Sequence, residues 1–245
     1  MNNVLITSGG TTEKIDAVRS ISNMSTGKLG SLIADGFAGE SNAGRIFYIC
    51  SGSAIKPQSE KVQNIYADSV CELESAVRQI LSSEKIDIIV HCMAVSDYRV
   101  TSVTTTAILA SLLKSSHGEI KSRLKESCIA ANDGKIDSDG EDMLLYMERT
   151  PKIISLFQLL SPDSTLIGFK LLNNVPQEIL IDRAYQILTQ NKCSFVLAND
   201  LKDITEEGHT GYLIDKNKSY TKYLTKADIA KAIVSDAIKE RMKSK

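Results

Sequence analysis

The sequence predicts an α/β protein built on a doubly wound, mainly parallel sheet with helices on both faces. Two observations predict this fold class: short apolar runs typical of buried strands, and helical patterns that alternate with them along the chain. The strand-like runs are Val4–Thr7, Arg45–Cys50, Ile86–Cys92, Thr165–Phe169 and Ser194–Ala198, and the helix-like segments are Lys28–Gly39, Ser69–Ser82, Pro151–Leu160 and Pro176–Gln190.

Two later segments depart from this alternation. Thr210–Asp215 and Ser219–Leu224 flank a polar turn, which predicts a small antiparallel hairpin before a last helix at Lys226–Met242. The stretch of about 104–139 is rich in Ser, Lys, Gly and Asp and has no clear strand pattern. A long polar segment of this kind inside an enzyme predicts a flap-like insertion.

The composition narrows the class of protein. The 245 residues, 42% of them hydrophobic, suffice for the core of one enzyme-sized domain spanning 1–245, with its hairpin at about 208–224. The 29 basic and 30 acidic side chains give a formal net charge of −1, so no global field attracts nucleic acid or a membrane. We therefore expect neither as a partner.

The cysteines and the N-terminus predict a soluble cytoplasmic protein. No CxxC pair and no signal-like or membrane-spanning apolar run occurs in the sequence, so a disulfide framework, a zinc site and export are not expected. The cysteines are Cys50, Cys71, Cys92, Cys128 and Cys193.

Two polar loops are candidates for binding an anion. Gly9 lies in the loop Ser8–Thr12 after the first strand, where backbone amides could face a ligand, although such a loop is more often only a turn. The loop ending in Ser25, Gly27 and Gly30 opens a helix whose N-terminal amides suit a phosphate. Equally, Ser25 or Thr26 could cap that helix while Gly30 packs on the sheet.

Further polar or aromatic residues follow the other strands. Asp97 could accept hydrogen bonds from a substrate, pair with Arg99 or cap a turn. His91 and Cys92 are expected in the core. Phe169 could stack on a base or pack in the core, and Asn199 could bind phosphate or sugar groups. All of these residues lie at or near the ends of predicted strands, where ligands of open α/β sheets bind.

Taken in order, these motifs resemble the phosphopantothenoylcysteine synthetase family, the synthetase half of the DNA/pantothenate metabolism flavoproteins. The family pattern is SGGT, then D-x-V-R-x-I-S-N-x-S-[ST]-G-x-x-G, then A-V-[AS]-D-Y, K-I, GF and AND, and it matches from Val4 to about Leu224. The fifteen-residue block Asp16–Gly30 carries most of the specificity. The chain resembles the monofunctional bacterial form, without the flavin-dependent half.

The resemblance implies a Rossmann-like fold and a phosphopantothenate–cysteine ligase of coenzyme A biosynthesis. The carboxylate of 4′-phosphopantothenate would attack CTP to form an acyl-cytidylate, and L-cysteine would then displace CMP. Mg²⁺ is implied and flavin is not, while ATP stays an alternative to CTP. A nicotinamide-dependent oxidoreductase of the same fold is a weaker alternative, because its compact glycine fingerprint is missing.

The resemblance also implies site residues. Asn23 would polarise the acyl group, and Arg19 would reach the neighbouring subunit's site in a homodimer. Lys135 would be a flap lysine contacting the triphosphate, with Lys114, Lys121 and Lys125 as alternatives. The residues implied for phosphopantothenate are Arg19, Asn23, Ala94 and Asp97, and those for the nucleotide are Gly9, Ser25, Gly27, Gly30, Lys135, Pro151, Ile153, Phe169 and Asn199. No metal ligands are implied.

The sequence departs from the family pattern in three places. The stretch between Asp97 and Lys135 is longer than in the fused enzymes. Ile187 and Asn191 stand where fused members supply two lysines for the nucleotide. The third departure consists of Met93 in place of an alanine and of Lys170 in place of an apolar residue after the Gly-Phe pair.

Overall fold

The computed structural model describes residues 1–112, 116–126, 136, 142–205 and 208–243. The strands are β1 (Asn2–Ser8), β2 (Thr12–Lys14), β3 (Ser20–Ser22), β4 (Ala43–Cys50), β5 (Val62–Tyr66), β6 (Ile88–His91), β7 (Tyr98–Thr104), β8 (Leu144–Arg149), β9 (Thr165–Leu172), β10 (Phe195–Asp200), β11 (Gly211–Asp215) and β12 (Tyr220–Tyr223). The helices are α1 (Lys28–Ala38), α2 (Val70–Ser83), α3 (Thr106–Leu112), α4 (His117–Glu126), α5 (Ile153–Leu160), α6 (Gln177–Gln190) and α7 (Lys226–Lys243), with a short 3₁₀ turn at Leu201–Asp203.

One eight-stranded sheet organises the molecule. Its order is β12-β11-β10-β9-β6-β1-β4-β5, and the six strands from β10 to β5 are parallel. The strand order reverses between β1 and β6, which is the topological switch point of a doubly wound fold. The antiparallel pair β11–β12 extends one edge. The predicted Rossmann-like fold class and the C-terminal hairpin are thus confirmed.

Alternating side chains of the strands pack on two helical layers. In β1, Leu5 faces a cluster formed with α2, α5 and α6, while Val4 and Ile6 face α1 and α7. Burial on both faces explains why these strands appear in the sequence as apolar runs without alternation. In the described ranges, none of the helices has the length and apolar character needed to cross a bilayer.

A second, smaller unit lies beside the sheet and was not predicted. β7 pairs with β8 in an antiparallel ribbon, and β2 pairs with β3. A small cluster of Ile15, Val103 and Ile136 packs beneath them. The stretch of about 104–139 was expected to lack a strand, but its first residue, Thr104, ends β7, and α3 and α4 follow.

A buried ion pair lies at the amino end of β6, on the side of the sheet opposite the carboxyl ends of the parallel strands. Arg241 of α7 is 7% exposed, and Asp87, just before β6, is 8% exposed. The guanidinium donates from Nε (3.1 Å) and Nη2 (2.6 Å) to Oδ1 of Asp87, and from Nη1 to the carbonyl oxygen of Asp163 at 2.6 Å. This contact ties the last helix to the central strands.

We expect Arg241→Ala to destabilise the protein by about 3 kcal/mol, because the buried Asp87 carboxylate then loses its cationic partner. Urea unfolding followed by far-UV circular dichroism measures this loss. Lys239→Ala is the matched control on the same helix, since its pair with Asp236 is exposed and should contribute less than about 1 kcal/mol. Equal losses in the two variants would contradict the proposed anchoring role.

Candidate functional site

A cavity of about 650 Å³ opens at the carboxyl ends of β6 and β9. The start of α5 and the end of α6 form its other walls. Its lining residues are Asn23, His91, Met93, Ala94, Val95, Ser96, Asp97, Thr150, Pro151, Lys152, Ile153, Ile154, Ser155, Phe169, Lys170, Leu171, Ile187, Gln190 and Asn191. A concave site with apolar walls and a few polar groups suits a small-molecule ligand.

The cavity brings together six of the residues expected to bind substrates. They come from four separate segments of the chain and are Asn23, Ala94, Asp97, Pro151, Ile153 and Phe169. The other expected residues with described positions lie outside its lining, and these are Gly9, Arg19, Ser25, Gly27, Gly30 and Asn199.

The loops after β1 and β6 are joined by hydrogen bonds at the switch point. The amide of Ala94 donates to the carbonyl of Gly9 at 2.8 Å, and the amide of Thr11 donates to the carbonyl of Ala94 at 3.0 Å. The amide of Ser96 donates to the Thr11 hydroxyl oxygen at 2.8 Å. These three hydrogen bonds form a joint between the two loops. The joint closes the space between β1 and β6, and the cavity lies on the β9 side.

Asn23 is oriented by the same joint. The Thr11 hydroxyl donates to Ser96 Oγ at 3.1 Å, and the Ser96 hydroxyl donates to Oδ1 of Asn23 at 2.9 Å. With its amide oxygen engaged in this way, Asn23 presents its Nδ2 hydrogens to the cavity that it lines. The side chain can therefore act as a donor to an oxygen atom of a ligand.

Asp97 pairs with a lysine that the sequence interpretation did not assign. Nζ of Lys152 lies 2.5 Å from Oδ1 of Asp97, and both side chains are mostly exposed. Asp97 therefore pairs with Lys152 and not with Arg99, which was one of the expected alternatives. The Thr150 hydroxyl donates to the carbonyl of Ser96 at 2.6 Å, which fastens the segment before α5 to the Asp97 loop.

The N-terminus of α1 has no side chain on its N-cap residue, and one long hydrogen bond of 3.4 Å runs from the Lys28 amide to Oγ1 of Thr26. Its N-cap residue is Gly27, with φ +72°, so neither expected capping residue, Ser25 or Thr26, holds that position. A Cβ at Gly30 would overlap the Ser8 side chain, which confirms the close packing expected of Gly30. Ser25 is exposed beside helix-end amides, an arrangement that leaves room for an anion.

His91 is buried at the cavity floor. Its Nδ1 lies 2.7 Å from the Thr7 hydroxyl oxygen, and its ring packs edge-on against Phe157 with centroids 5.2 Å apart. Burial lowers the pKa of His91 to about 4, so the imidazole is neutral at pH 7. The expectation of core placement holds for His91, and Cys92 is half-buried and packs against the core cluster beneath α1 and α7.

Arg19 is held by a carboxylate of its own loop. Its Nε and Nη2 donate to Oδ2 of Asp16 at 2.8 and 2.5 Å, and Nη2 also donates to the carbonyl of Ile136 at 2.9 Å. Asp16 further accepts hydrogen bonds from the amides of Val18 and Ile136. The Arg19 guanidinium, followed by these amides, holds the pKa of Asp16 well below its usual range.

Two of the residues expected to bind the nucleotide contact buried groups of the protein. Asn199 is 8% exposed, and its Nδ2 lies 3.3 Å from Nε2 of His209. Burial lowers the pKa of His209 to about 4, which keeps the ring neutral and able to accept that bond. Phe169 packs partly on the core beneath α1 and α7 and also lines the cavity, so its core packing is confirmed while stacking on a base stays a prediction.

The expected flap lysine, Lys135, lies outside the described residues, as does Lys114. Lys121 and Lys125 of α4 are described, and the Nζ of each lies 3.0 Å from a Glu148 carboxylate oxygen. Lys121 first, and then Lys125, lower the pKa of Glu148 to about 2. These two lysines thus pack α4 onto β8.

The described residues contain no group of three or more His, Cys, Asp or Glu side chains that could hold a metal ion. The cavity lining itself provides one carboxylate, Asp97, which already faces Lys152. Mg²⁺ usually binds an octahedral set of oxygen ligands, and these protein groups alone do not provide such a set.

Sequence reasoning missed Ser96 and Lys152. Ser96 directly precedes the expected Asp97, but its bond to Asn23 depends on a contact between residues 73 positions apart. Lys152 lies between Pro151 and Ile153, which were both expected at the nucleotide, and its charge was the available signal.

A protein-family model described as the DNA/pantothenate metabolism flavoprotein C-terminal domain matches residues 1–121 and 127–241. Two relatives are each named coenzyme A biosynthesis bifunctional protein CoaBC. The Methanocaldococcus jannaschii protein is 28% identical over 249 residues, covering 99% of this chain and 52% of the relative. The Thermococcus kodakarensis protein is 30% identical over 214 residues, covering 87% and 45%. The chain spans about half the length of these curated relatives.

Solved structures agree with this relationship. A DNA/pantothenate metabolism flavoprotein from Streptococcus pneumoniae superposes with a TM-score of 0.85 at 31% identity, covering 98% of this chain and 100% of that one. A Cab2 H337A mutant in complex with phosphopantothenate-cysteine has a TM-score of 0.71 at 18% identity, covers 99% and 87% of the two chains, and supports the fold alone. The family expected from the motifs is confirmed: the chain belongs to the DNA/pantothenate metabolism flavoprotein C-terminal domain family.

Proposed function

We propose that this chain is a phosphopantothenate–cysteine ligase of coenzyme A biosynthesis. Its substrates would be 4′-phosphopantothenate, L-cysteine and a nucleoside triphosphate, with CTP preferred and ATP as the alternative. The observation that carries this proposal is the meeting of Asn23, Ala94 and Asp97 with Pro151, Ile153 and Phe169 in one cavity. The names of the relatives support the pathway.

The reaction would proceed in two balanced steps. A carboxylate oxygen of 4′-phosphopantothenate attacks the α-phosphorus of the nucleotide, and pyrophosphate leaves with the electron pair of the broken bond. The amine of cysteine then attacks the acyl carbon, the nucleoside monophosphate leaves with the electron pair of the acyl carbon–oxygen bond, and the nitrogen of the new amide releases a proton to water. Both steps bring anions or a developing oxyanion into the site, so fixed donors and positive charge should provide most of the rate.

Asn23 is proposed to stabilise the oxyanion of the second step. Its amide oxygen is engaged by Ser96, so its Nδ2 is the group that faces the cavity. Phosphates of the nucleotide are proposed to lie on the start of α1, near Gly9, Ser25, Gly27 and Gly30. Phe169 and Asn199 are proposed to hold its nucleoside part.

Mg²⁺ is proposed to enter as the metal complex of the nucleotide. The described carboxylates do not form a site for it, so its ligands would be phosphate oxygens and water. Lys135 is proposed as the flap lysine of the first step. The engagement of Lys121 and Lys125 by Glu148 favours Lys135 over those two alternatives.

Purified protein should convert 4′-phosphopantothenate and L-cysteine to the coupled product when Mg²⁺ and either CTP or ATP are supplied. Mass spectrometry of the product and release of pyrophosphate measure the reaction, and the two nucleotides compared side by side give the preference. Chelation of Mg²⁺ by EDTA should stop turnover. Absence of product with both nucleotides would reject the ligase proposal.

Asn23→Asp should accumulate the acyl-nucleotide and transfer it to cysteine about 10²- to 10³-fold more slowly, as expected for loss of an oxyanion donor. Rapid-quench mass spectrometry follows the intermediate. Asn217→Asp, the same change in the exposed hairpin turn, is the matched control and should behave like the wild type. Unaltered transfer in Asn23→Asp would remove Asn23 from the mechanism.

A homodimer in which Arg19 acts on the neighbouring subunit's site is also proposed. The contacts of Arg19 with Asp16 and Ile136 leave Nη1 without a hydrogen bond to the described residues, so this nitrogen can contact a further group. Such an arginine is already oriented before a ligand phosphate arrives, which lowers the entropic cost of binding.

Mixing two inactive variants tests this arrangement. Arg19→Gln and Asn23→Asp subunits, unfolded and refolded together, should recover about a quarter of the wild-type activity, because half of the dimers are mixed and each has one intact site. Each variant refolded alone is the control. Failure to regain activity, with mixed dimers present by native mass spectrometry, would place Arg19 in its own subunit's site.

A further inference from the structure

The charged side chains of the cavity wall differ in whether they form an ion pair. Among its lining residues, the charged side chains are Asp97, Lys152 and Lys170. Asp97 and Lys152 form an ion pair at 2.5 Å. Lys170 makes no ion pair or side-chain hydrogen bond with any residue in the described part of the chain, and its positive charge therefore remains available in the cavity.

The position of Lys170 on β9 is unusual for a cation. Side chains of a strand alternate between faces, so Lys170 shares its face with Leu166 and Leu172, which pack in the core beneath α5 and α6. Lys170 is half-buried at the end of this apolar row. An ammonium group in such surroundings is unfavourable unless an anion or water solvates it.

The N-terminus of α5 adds positive potential to the same wall. Its N-cap residue, Lys152, makes no side-chain capping bond, and the first helical residue, Ile153, lines the cavity. The facing residues at the end of α6, Ile187, Gln190 and the C-cap residue Asn191, carry no charge. The α5 and β9 side of the cavity is thus suited to an anion.

We propose that Lys170 binds a phosphate group of the ligand in this cavity, and that Lys152 exchanges Asp97 for the same phosphate. This inference rests on the proposed function, in which both the nucleoside triphosphate and 4′-phosphopantothenate carry phosphate. The Asp97–Lys152 pair is exposed, so little free energy opposes the exchange.

The test compares Lys170→Gln and Lys152→Gln with the charge-preserving Lys170→Arg. Isothermal titration calorimetry with CTP, ATP and 4′-phosphopantothenate should give roughly tenfold weaker binding of at least one of these ligands to each Gln variant, and near-normal binding to the Arg variant. The ligand affected, together with the KM that rises in the ligation assay, distinguishes the nucleotide phosphates from the 4′-phosphate.

Lys222→Gln is the matched control, because this lysine is exposed on β12 of the same sheet, three strands from β9. The inference is overturned if Lys170→Gln binds every phosphorylated ligand within about twofold of the wild type, or if Lys170→Arg is as impaired as Lys170→Gln. Normal turnover by the wild type with either result would overturn this inference alone. A wild-type protein that binds none of the ligands and makes no product would overturn the ligase proposal as well.

Discussion

The hydrogen-bonded joint between the loops after β1 and β6 holds Asn23, Ala94 and Ser96 in one arrangement at the cavity. At a switch point the loops of two neighbouring parallel strands leave the sheet in opposite directions, and ligands commonly bind between them. Here Gly9 and Thr11 bond to Ala94 instead, at 2.8 and 3.0 Å. The open space is consequently displaced towards β9, where α5 and α6 enclose it.

The same joint holds the loop that carries Asn23. The Asn23 amide donates to the carbonyl of Thr11 at 3.0 Å, and its side chain accepts from Ser96. A Cβ at Gly10 would overlap the Asn23 carbonyl oxygen, so a glycine is required where the two loops cross. Backbone and side-chain bonds thus orient Asn23 before any ligand is present, which is the condition for effective electrostatic stabilisation.

The central fold could be predicted from the sequence because its strands are buried on both faces and therefore appear as apolar runs. The ribbon of β7 and β8 could not, since Tyr98–Thr104 is polar and its partner strand begins only at Leu144. The strand β5 was missed for a related reason: Val62–Tyr66 lies at the sheet edge and is largely exposed or half-buried.

The residues of the candidate site could be predicted from the sequence only in part. Asn23, Asp97 and Phe169 lie in motifs whose order along the chain matches a family pattern, so sequence order alone located them. The roles of Lys152 and Ser96 depend on which loops meet in space. No local pattern records that Lys152 faces Asp97, since the two residues are 55 positions apart.

The site therefore combines a permanent frame with contacts that a ligand can replace. Thr11 and Ser96 are buried and hydrogen-bonded to each other, and breaking their bonds would leave unsatisfied polar groups. The Asp97–Lys152 pair is exposed, and pairs of this kind contribute about 0–1 kcal/mol. A charged substrate can thus displace the outer ion pair at small cost, while the donor groups that would act on its reacting atoms stay in place.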